Sequence, residues 1–482
     1  MRTLTVHKGI LPTFTLTEVC QKDELGFVAR KIPATSIVAP CVYYYRHIHR
    51  HVVSGKGRDS YSYNLMPVVL NKNGVPWEAA TIYILSRLEG VTAPLMATYS
   101  GIADDLVVFL RFLEEGNIDF DVFPQRKLHR PTYRYGSDLK LRLQAGEIAA
   151  TTARRRMGTV IRFYRWLLNE GLVKPEHAPW NQSDRYFQFK DARGFSISKK
   201  IITTDVAIKV AAQADPYSGT IDDGGKLRPL PRQEQEWLVD ALLSLHNYEM
   251  TLIHLMGLLT GARMQTILTL RVRHVRLELP DDLTELRFRI GPGTGVDTKA
   301  DKNMTLFIPV WFYKKLSIYS FSERAKIRRE RAVGGDNEDQ YLFLSVQGAP
   351  HYQSKADKLI FDADNQLRHS KAGQGVRQFI KERLIPYVCN KNNLKKFRYR
   401  FHDTRATFCM NLTDRQLSEV QAGKLTLHQA REFVKARMGH ESSVTTDLYL
   451  NYRQNISHIR TVNTQHEDHL RQLTEQAMEG LL

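Results

Sequence analysis

FHDTRATFCMNL (401–412) and MGHESSVTTDLYLNY (438–452) form the stretch that decides how this chain is read. In the first, Arg405 follows His402 by three residues, so both lie on one side of a single helical turn. In the second, Tyr449 follows His440 by nine residues, across a Ser/Thr-rich joint of the kind that caps a new helix. Well upstream, LLTGARMQTILTLRVRHV (258–275) adds Arg263, just after a TGA break and at a predicted helix start. Each piece alone is a weak signal. HxxR occurs often by chance, an arginine can simply cap a helix, and most buried tyrosines and histidines only pack.

Taken together, two arginines, two histidines and a tyrosine suit a site that holds a phosphodiester and attacks it with a phenol. A phosphodiester resists attack because its non-bridging oxygens are already negative and gain charge as the pentacoordinate transition state forms. Fixed positive donors aimed at those oxygens are the main remedy. Arginine serves better than lysine because its planar fork binds two oxygens at once. The nucleophile must lose a proton and the departing oxygen must gain one, transfers suited to histidine and lysine.

The whole chain agrees with a polyanionic partner. It has 482 residues, enough for two or three domains, and a formal net charge of +18, the balance expected of a protein that seeks nucleic acid. Hydrophobic content of 42% supplies real cores. Cys20, Cys41, Cys389 and Cys409 are scattered without a CxxC pair, so neither a zinc site nor a disulfide framework is expected, and a reducing compartment fits. The N-terminus lacks the apolar core of a signal peptide, and no run reaches the ~18 apolar residues of a membrane span. The expectation is a soluble, cytoplasmic protein without membrane partner.

In chain order, residues 1–75 form an extension of unknown role, with short strands or turns expected in GFVARKIPATSIVAP and YSYNLMPVVL. Within it, YYYRHIHRHVVSGKGR (43–58) interleaves aromatics with basic residues, as a strand-stacking surface or an ordinary solvated face would. His47, His49 and His51 alternate there without a neighbouring carboxylate or cysteine at metal-ligand spacing, so no metal is expected. From residue 76 to 190 the pattern is helical. One helix begins at WEAATIYILSRLEG, and a second runs through SGIADDLVVFLRFLEEGN with Ser100 as its expected N-cap. In TTARRRMGTVIRFYRWLLNEGL, Met157, Ile161, Tyr164 and Leu168 form an apolar stripe. Arg154, Arg155, Arg156, Arg162 and Arg165 crowd the other faces, as a helix resting on a phosphate backbone requires and a solvated basic helix also shows.

Residues 191–225, ending in a Gly/Asp cluster, read as a linker. In 226–455 helices flank two alternating strands around a Gly-rich turn, with Leu286, Phe288 and Ile290 on one face of the first and Leu306, Ile308 and Val310 on one face of the second. The tail, 456–482, reads as an amphipathic helix with Leu470, Leu473, Ala477 and Leu481 on one side. The fold class expected is mainly α with a small antiparallel β-sheet.

The order and context of the three boxes resemble the tyrosine recombinases, the phage integrase family, over roughly residues 226–455. LLTGARMQTILTLRVRHV is similar to that family's first-arginine box, FHDTRATFCMNL to its HxxR box, and MGHESSVTTDLYLNY to its LGH…Y box. The helical region 76–190 is similar, less sharply, to its core-binding domain; residues 1–75 match nothing in it. The resemblance implies that Arg263 and Arg405 grip the scissile phosphate, that His402 assists proton transfer and that His440 donates a hydrogen bond to the phosphate. It implies that Tyr449 attacks to give a 3′-phosphotyrosyl link, and that a hairpin lysine protonates the leaving oxygen. Lys299 in DTKADKNMTLFIP fits the family's TKxxK pattern better than Lys302, although the hairpin runs about two residues long. Two positions depart from the pattern: Thr266 replaces a usual acid and Thr404 a usual leucine. Tyr452 lies on the same helical face as Tyr449, but spacing favours Tyr449 as the nucleophile.

The resemblance further implies a clamp on duplex DNA carrying a specific recombination site, action as a homotetramer with the tail helix docking on a neighbour, and no cofactor. Integration or excision of a mobile element in a prokaryotic cell is the favoured biology. Two rivals remain: a type IB topoisomerase using the same phosphotyrosyl chemistry, and a catalytically idle DNA-binding protein.

Overall fold

The computed structural model describes residues 5–20, 22–31, 42–47, 61–89, 91, 94–190, 196–209, 219–280 and 282–453. The expected tail helix, Cys41, His49, His51 and most of the 43–58 cluster lie outside these residues. The chain divides into two compact units. The first comprises 1–213 with 358–370, and the second 214–357 with 371–482. Helices dominate both, with small antiparallel sheets of two or three strands.

In the first unit, strand His7–Thr15 pairs antiparallel with Ser62–Leu70. Val6, Tyr63, Met66 and Val69 from this ribbon share one core with Tyr83, Ile84 and Leu106 of the helices that follow. This ribbon therefore packs as part of the helical unit, because the apolar face of a two-stranded ribbon is not stable in water alone. Four helices, Glu78–Leu88, Met96–Glu115, Pro131–Gln144 and Ala150–Asn169, close around the rings of Trp77, Phe109, Phe163 and Tyr164, which meet edge-on or tilted. The second helix starts at Met96, before the expected cap. Ser100 lies inside it, where its hydroxyl accepts a hydrogen bond from the Lys8 ammonium at 2.7 Å. The reason is burial: Tyr99, in the added turn, is 8% exposed and extends the apolar face upstream of Ser100.

Two further expectations are corrected. Gln182–Lys190, expected to be helical, is a strand. It pairs with Ser196–Thr204, which falls inside the expected linker. β-branched Ile201, Ile202, Thr203 and Thr204 favour this extended form. The end of the expected linker is ordered too. Ile221–Asp222 pairs with Lys226–Leu227 around the DDGG turn, where Gly224 and Gly225 take φ of +69° and +150°. Glycine meets such angles readily, and L side chains rarely adopt them. Residues 358–370 belong to the first unit, where the Asn64 amide donates to the Asp362 carbonyl at 2.6 Å and the Asn365 amide donates to the Pro12 carbonyl at 2.9 Å.

In the second unit, helices Arg232–Ser244 and Tyr248–Thr260 pack with Val310–Phe321 and the strand pair Glu285–Ile290/Met304–Pro309 around Ile253, Met256, Phe312 and Phe343. Helix Asp403–Gln421 crosses Tyr248–Thr260 closely enough that a side chain at Gly257 would stand 2.7 Å from the Thr404 hydroxyl. That approach brings the widely separated boxes of this unit together.

Candidate active site

Arg405 sits in the first turn of Asp403–Gln421 and is 2% exposed. Its guanidinium donates from Nη1 to the Gly261 carbonyl at 2.9 Å and from Nη2 to the Met438 carbonyl at 3.0 Å. Gly261 belongs to the TGAR break, and Met438 opens MGH. One side chain from the second box thus ties down the main chain of the first and third. The local turns make this possible. Gly261 ends helix Tyr248–Thr260 at φ +65°, and an added Cβ would stand 2.6 Å from Phe408. Gly439 ends Leu427–Met438 at φ +63°, with the Met304 methyl 2.8 Å from any added Cβ. Arg263 then stands at the cap of Met264–Leu268, and a helix beginning at 443 carries Tyr449 inward until it is fully buried.

The third nitrogen of Arg405 reaches a residue that the sequence reading missed. Its Nε donates to Oδ2 of Asp223, from the DDGG turn, at 2.7 Å. The same oxygen accepts from Nε2 of His440 at 3.3 Å and from the Tyr449 hydroxyl at 3.2 Å. Arg263 Nη2 reaches the other carboxylate oxygen at 3.5 Å. Because a carboxylate only accepts, Nε2 of His440 must carry a proton, and Nδ1 contacts the Thr446 hydroxyl at 3.0 Å. The His440 and Tyr449 rings stack at 18°, 5.9 Å apart. Three side chains from two separated boxes, and the upstream Arg263, therefore converge on one anion.

The electrostatics follow from that convergence. Burial by itself would raise the pKa of Asp223, but the hydrogen bond from His440 and the charge of Arg405 overcome it and hold the carboxyl well below the usual range. Burial, with Cys409 and the Asp223 carboxylate beside it, drives the Tyr449 phenol far above its ordinary value. Burial and the neighbouring guanidinium of Arg405 lower the pKa of Arg263. Burial and the charges of Arg263, Arg377 and Arg405 depress that of His402, favouring a neutral imidazole. His402 caps the Asp403–Gln421 helix half-buried and makes no hydrogen bond to Tyr449.

Lys299 and Lys302 line the same cleft as Arg263 and Arg405. They differ in what they do there. Lys302 is paired with Glu441 at 2.6 Å, whereas the exposed Lys299 leans over the DDGG turn, where its ammonium would collide with any side chain at Gly224. Thr266 donates to the Asp297 carbonyl at 2.9 Å, tying the Arg263 helix to the loop that carries Lys299. Thr404 is fully buried and donates to the Phe401 carbonyl at 2.7 Å. Tyr452 points elsewhere, its hydroxyl 3.4 Å from the Gly219 carbonyl. In the first unit, Arg154, Arg155 and Arg162 are exposed and Arg156 and Arg165 half-buried. Of these, Arg155 pairs with the buried Asp105 at 2.5 Å, and Arg165 lies 6.0 Å from the Trp180 ring. Among the described residues there is no cluster of metal-ligating side chains, and no helix is long and apolar enough to cross a membrane.

Three solved structures illustrate what the chain is similar to. One is the XerH site-specific recombinase bound to difH substrate, at 12% identity over 81% of this chain and 91% of that one, with a TM-score of 0.43. Another is the Tn1549 transposon integrase in complex with circular intermediate DNA, at 13% identity over 77% and 94%, with a TM-score of 0.41. The third is a lambda integrase dimer bound to a COC′ core site, at 13% identity over 77% and 93%, with a TM-score of 0.40. No protein-family model and no curated protein sequence matches the chain. At such low likeness the chemistry has to come from the chain's own residues.

Proposed function

We propose that this chain is a tyrosine-type site-specific DNA recombinase, cutting and rejoining strands through a 3′-phosphotyrosyl intermediate. The observation that carries the reading is the meeting of Arg263, Arg405, His440 and Tyr449 on one buried anion. A carboxylate and a phosphodiester each bear one negative charge and offer oxygens to the same donors. With a phosphodiester in that place, Nε of Arg405, the Arg263 guanidinium and the Nε2–H of His440 donate to its non-bridging oxygens while the Tyr449 oxygen attacks phosphorus. The phosphorus–O3′ side stays bonded and the bond to O5′ breaks. His402, its pKa lowered by burial and by the cations around it, is the group assigned to take the phenolic proton, and Lys299 the one to supply a proton to O5′. Bond energy is kept in the phosphotyrosyl ester, so rejoining by the reverse step needs neither nucleotide nor metal cofactor.

The arginine face of Ala150–Asn169 would track the DNA backbone, and a homotetramer on two recombination sites would exchange strands, with the 456–482 tail docking on a neighbour. Integration or excision of a mobile element in a prokaryotic cell is the biology that fits. A nicked suicide duplex, which releases the short fragment bearing the new 5′-hydroxyl after cleavage, tests the chemistry when offered as a pool of sequences. The wild type should accumulate covalent protein–DNA adducts, and Tyr449→Phe should bind DNA yet form none. Adducts persisting in Tyr449→Phe would remove Tyr449 from the nucleophile's role.

A further inference from the structure

Asp223 has no place in the chemistry just described, yet it holds the centre of the site. One of its oxygens accepts from Arg405, His440 and Tyr449, and its side chain is 5% exposed. Three donors converging on a single oxygen is how a non-bridging phosphate oxygen would be held. The nucleophile is engaged as well, since the Tyr449 hydroxyl donates a hydrogen bond to the carboxylate and is itself fully buried. While Asp223 stays there, the position facing Arg405, His440 and Tyr449 is already filled by an anionic oxygen.

We propose that Asp223 is a built-in stand-in for the scissile phosphate, keeping the free protein switched off until DNA displaces the tip of its hairpin. This rests on the recombinase reading of the site. The anatomy suits a moving tip on a fixed base. Ile221 and Leu227, at the two ends of the hairpin, are 3% and 6% exposed and pack with Ala406, Met410 and Tyr449. Between them, Gly224 and Gly225 take positive-φ backbone angles that L side chains rarely adopt, and the turn is closed by a bond from the Asp223 N–H to the Gly225 carbonyl at 3.1 Å. The exchange is electrostatically balanced, because one monoanion leaves the guanidinium groups as another arrives. An unpaired cluster of buried arginines, costly in a site closed to water, is never left behind.

The test uses the full chain and inorganic sulfate as probe, by calorimetric titration without DNA. Wild type should show only weak surface binding. Asp223→Asn should gain one site at least about ten-fold tighter, because neutralising the carboxylate frees the donors for the tetrahedral anion. Gly224→Ala provides a second variant that leaves every charged group in place. Alanine is strained at the φ of +69° that residue 224 takes, which loosens the turn holding Asp223, so this variant should gain the same site. Isotherms of folded Asp223→Asn and Gly224→Ala identical to wild type would overturn the proposal. So would a pattern in which Asp223→Asn only slows adduct formation and Asp223→Glu restores it, which marks a positioning acid. A sulfate site gained with no adducts from any protein, wild type included, would uphold the stand-in and sink the recombinase reading instead.

Discussion

Replacing Arg405 with alanine tests whether one guanidinium truly joins the three boxes. The substitution strips the Gly261 and Met438 carbonyls of their donors and removes the shortest partner of Asp223, all in a region closed to water. Breaking a buried ion pair by deleting one member costs about 3–5 kcal/mol, because the other charge remains buried and uncompensated. Asp223→Ala strands the Arg405 charge in turn and should fall toward the lower end of that range, about 3 kcal/mol, since Arg405 keeps both carbonyls. The double variant leaves neither charge stranded. It should therefore be more stable than the sum of the single losses predicts, by about 2 kcal/mol within the usual range for contacting residues. Arg405→Lys should fall between wild type and alanine, since one ammonium cannot span three acceptors set in a fork. Urea unfolding read through hydrogen exchange of the amides in Asp403–Gln421 is the suitable assay, because a chain of two compact units need not unfold in one step. Losses adding to within about 0.5 kcal/mol would mean that Arg405 and Asp223 act independently, and the convergence argued here would fail.

Acid should act through Asp223. Its folded-state pKa lies below that of a free carboxyl, so the unfolded chain takes up a proton first as pH falls. The stability it contributes is complete above the unfolded value of about 4 and is lost progressively below it. The stability difference between wild type and Asp223→Asn should be flat from neutrality to about pH 4 and shrink on further acidification; a difference growing in acid would contradict the assignment. The hairpin lysines give a separate outcome. Lys299→Ala should slow cleavage of an ordinary duplex by about 10²-fold or more, the usual share of a general acid. The loss should vanish with a 5′-bridging sulfur leaving group, which departs without a proton, and Lys302→Ala should show neither effect.

Much of the architecture was legible because helical periodicity and burial have the same cause. Met157, Ile161 and Tyr164 mark the face of Ala150–Asn169 that is buried, and the alternation in 285–310 marks the strand pair. Misreadings fell where local preference lost to tertiary packing. Ser100 is a good cap, but the Tyr99 ring was worth more inside the helix than the cap outside it. The stretch around DDGG has a loop's composition, yet it is anchored at both ends by buried apolar residues. At the site, the residue types and the order of the three boxes were plain, whereas the acid expected beside Arg263 was absent from position 266, with no local sign of a replacement.

The sequence by itself determined the inventory: a basic, mainly helical chain carrying two arginines, two histidines and a tyrosine in three separated boxes. It also determined where the backbone turns, since glycines at 261 and 439 suit left-handed helix ends. Only the tertiary structure decided that these groups share one anion and that the anion is Asp223, more than two hundred residues from Tyr449 along the chain. The physical reason is range. Turns and helices are set by neighbours a few residues apart, but a carboxylate finds guanidinium groups only when burial of Ile221 and Leu227 aims their hairpin at them.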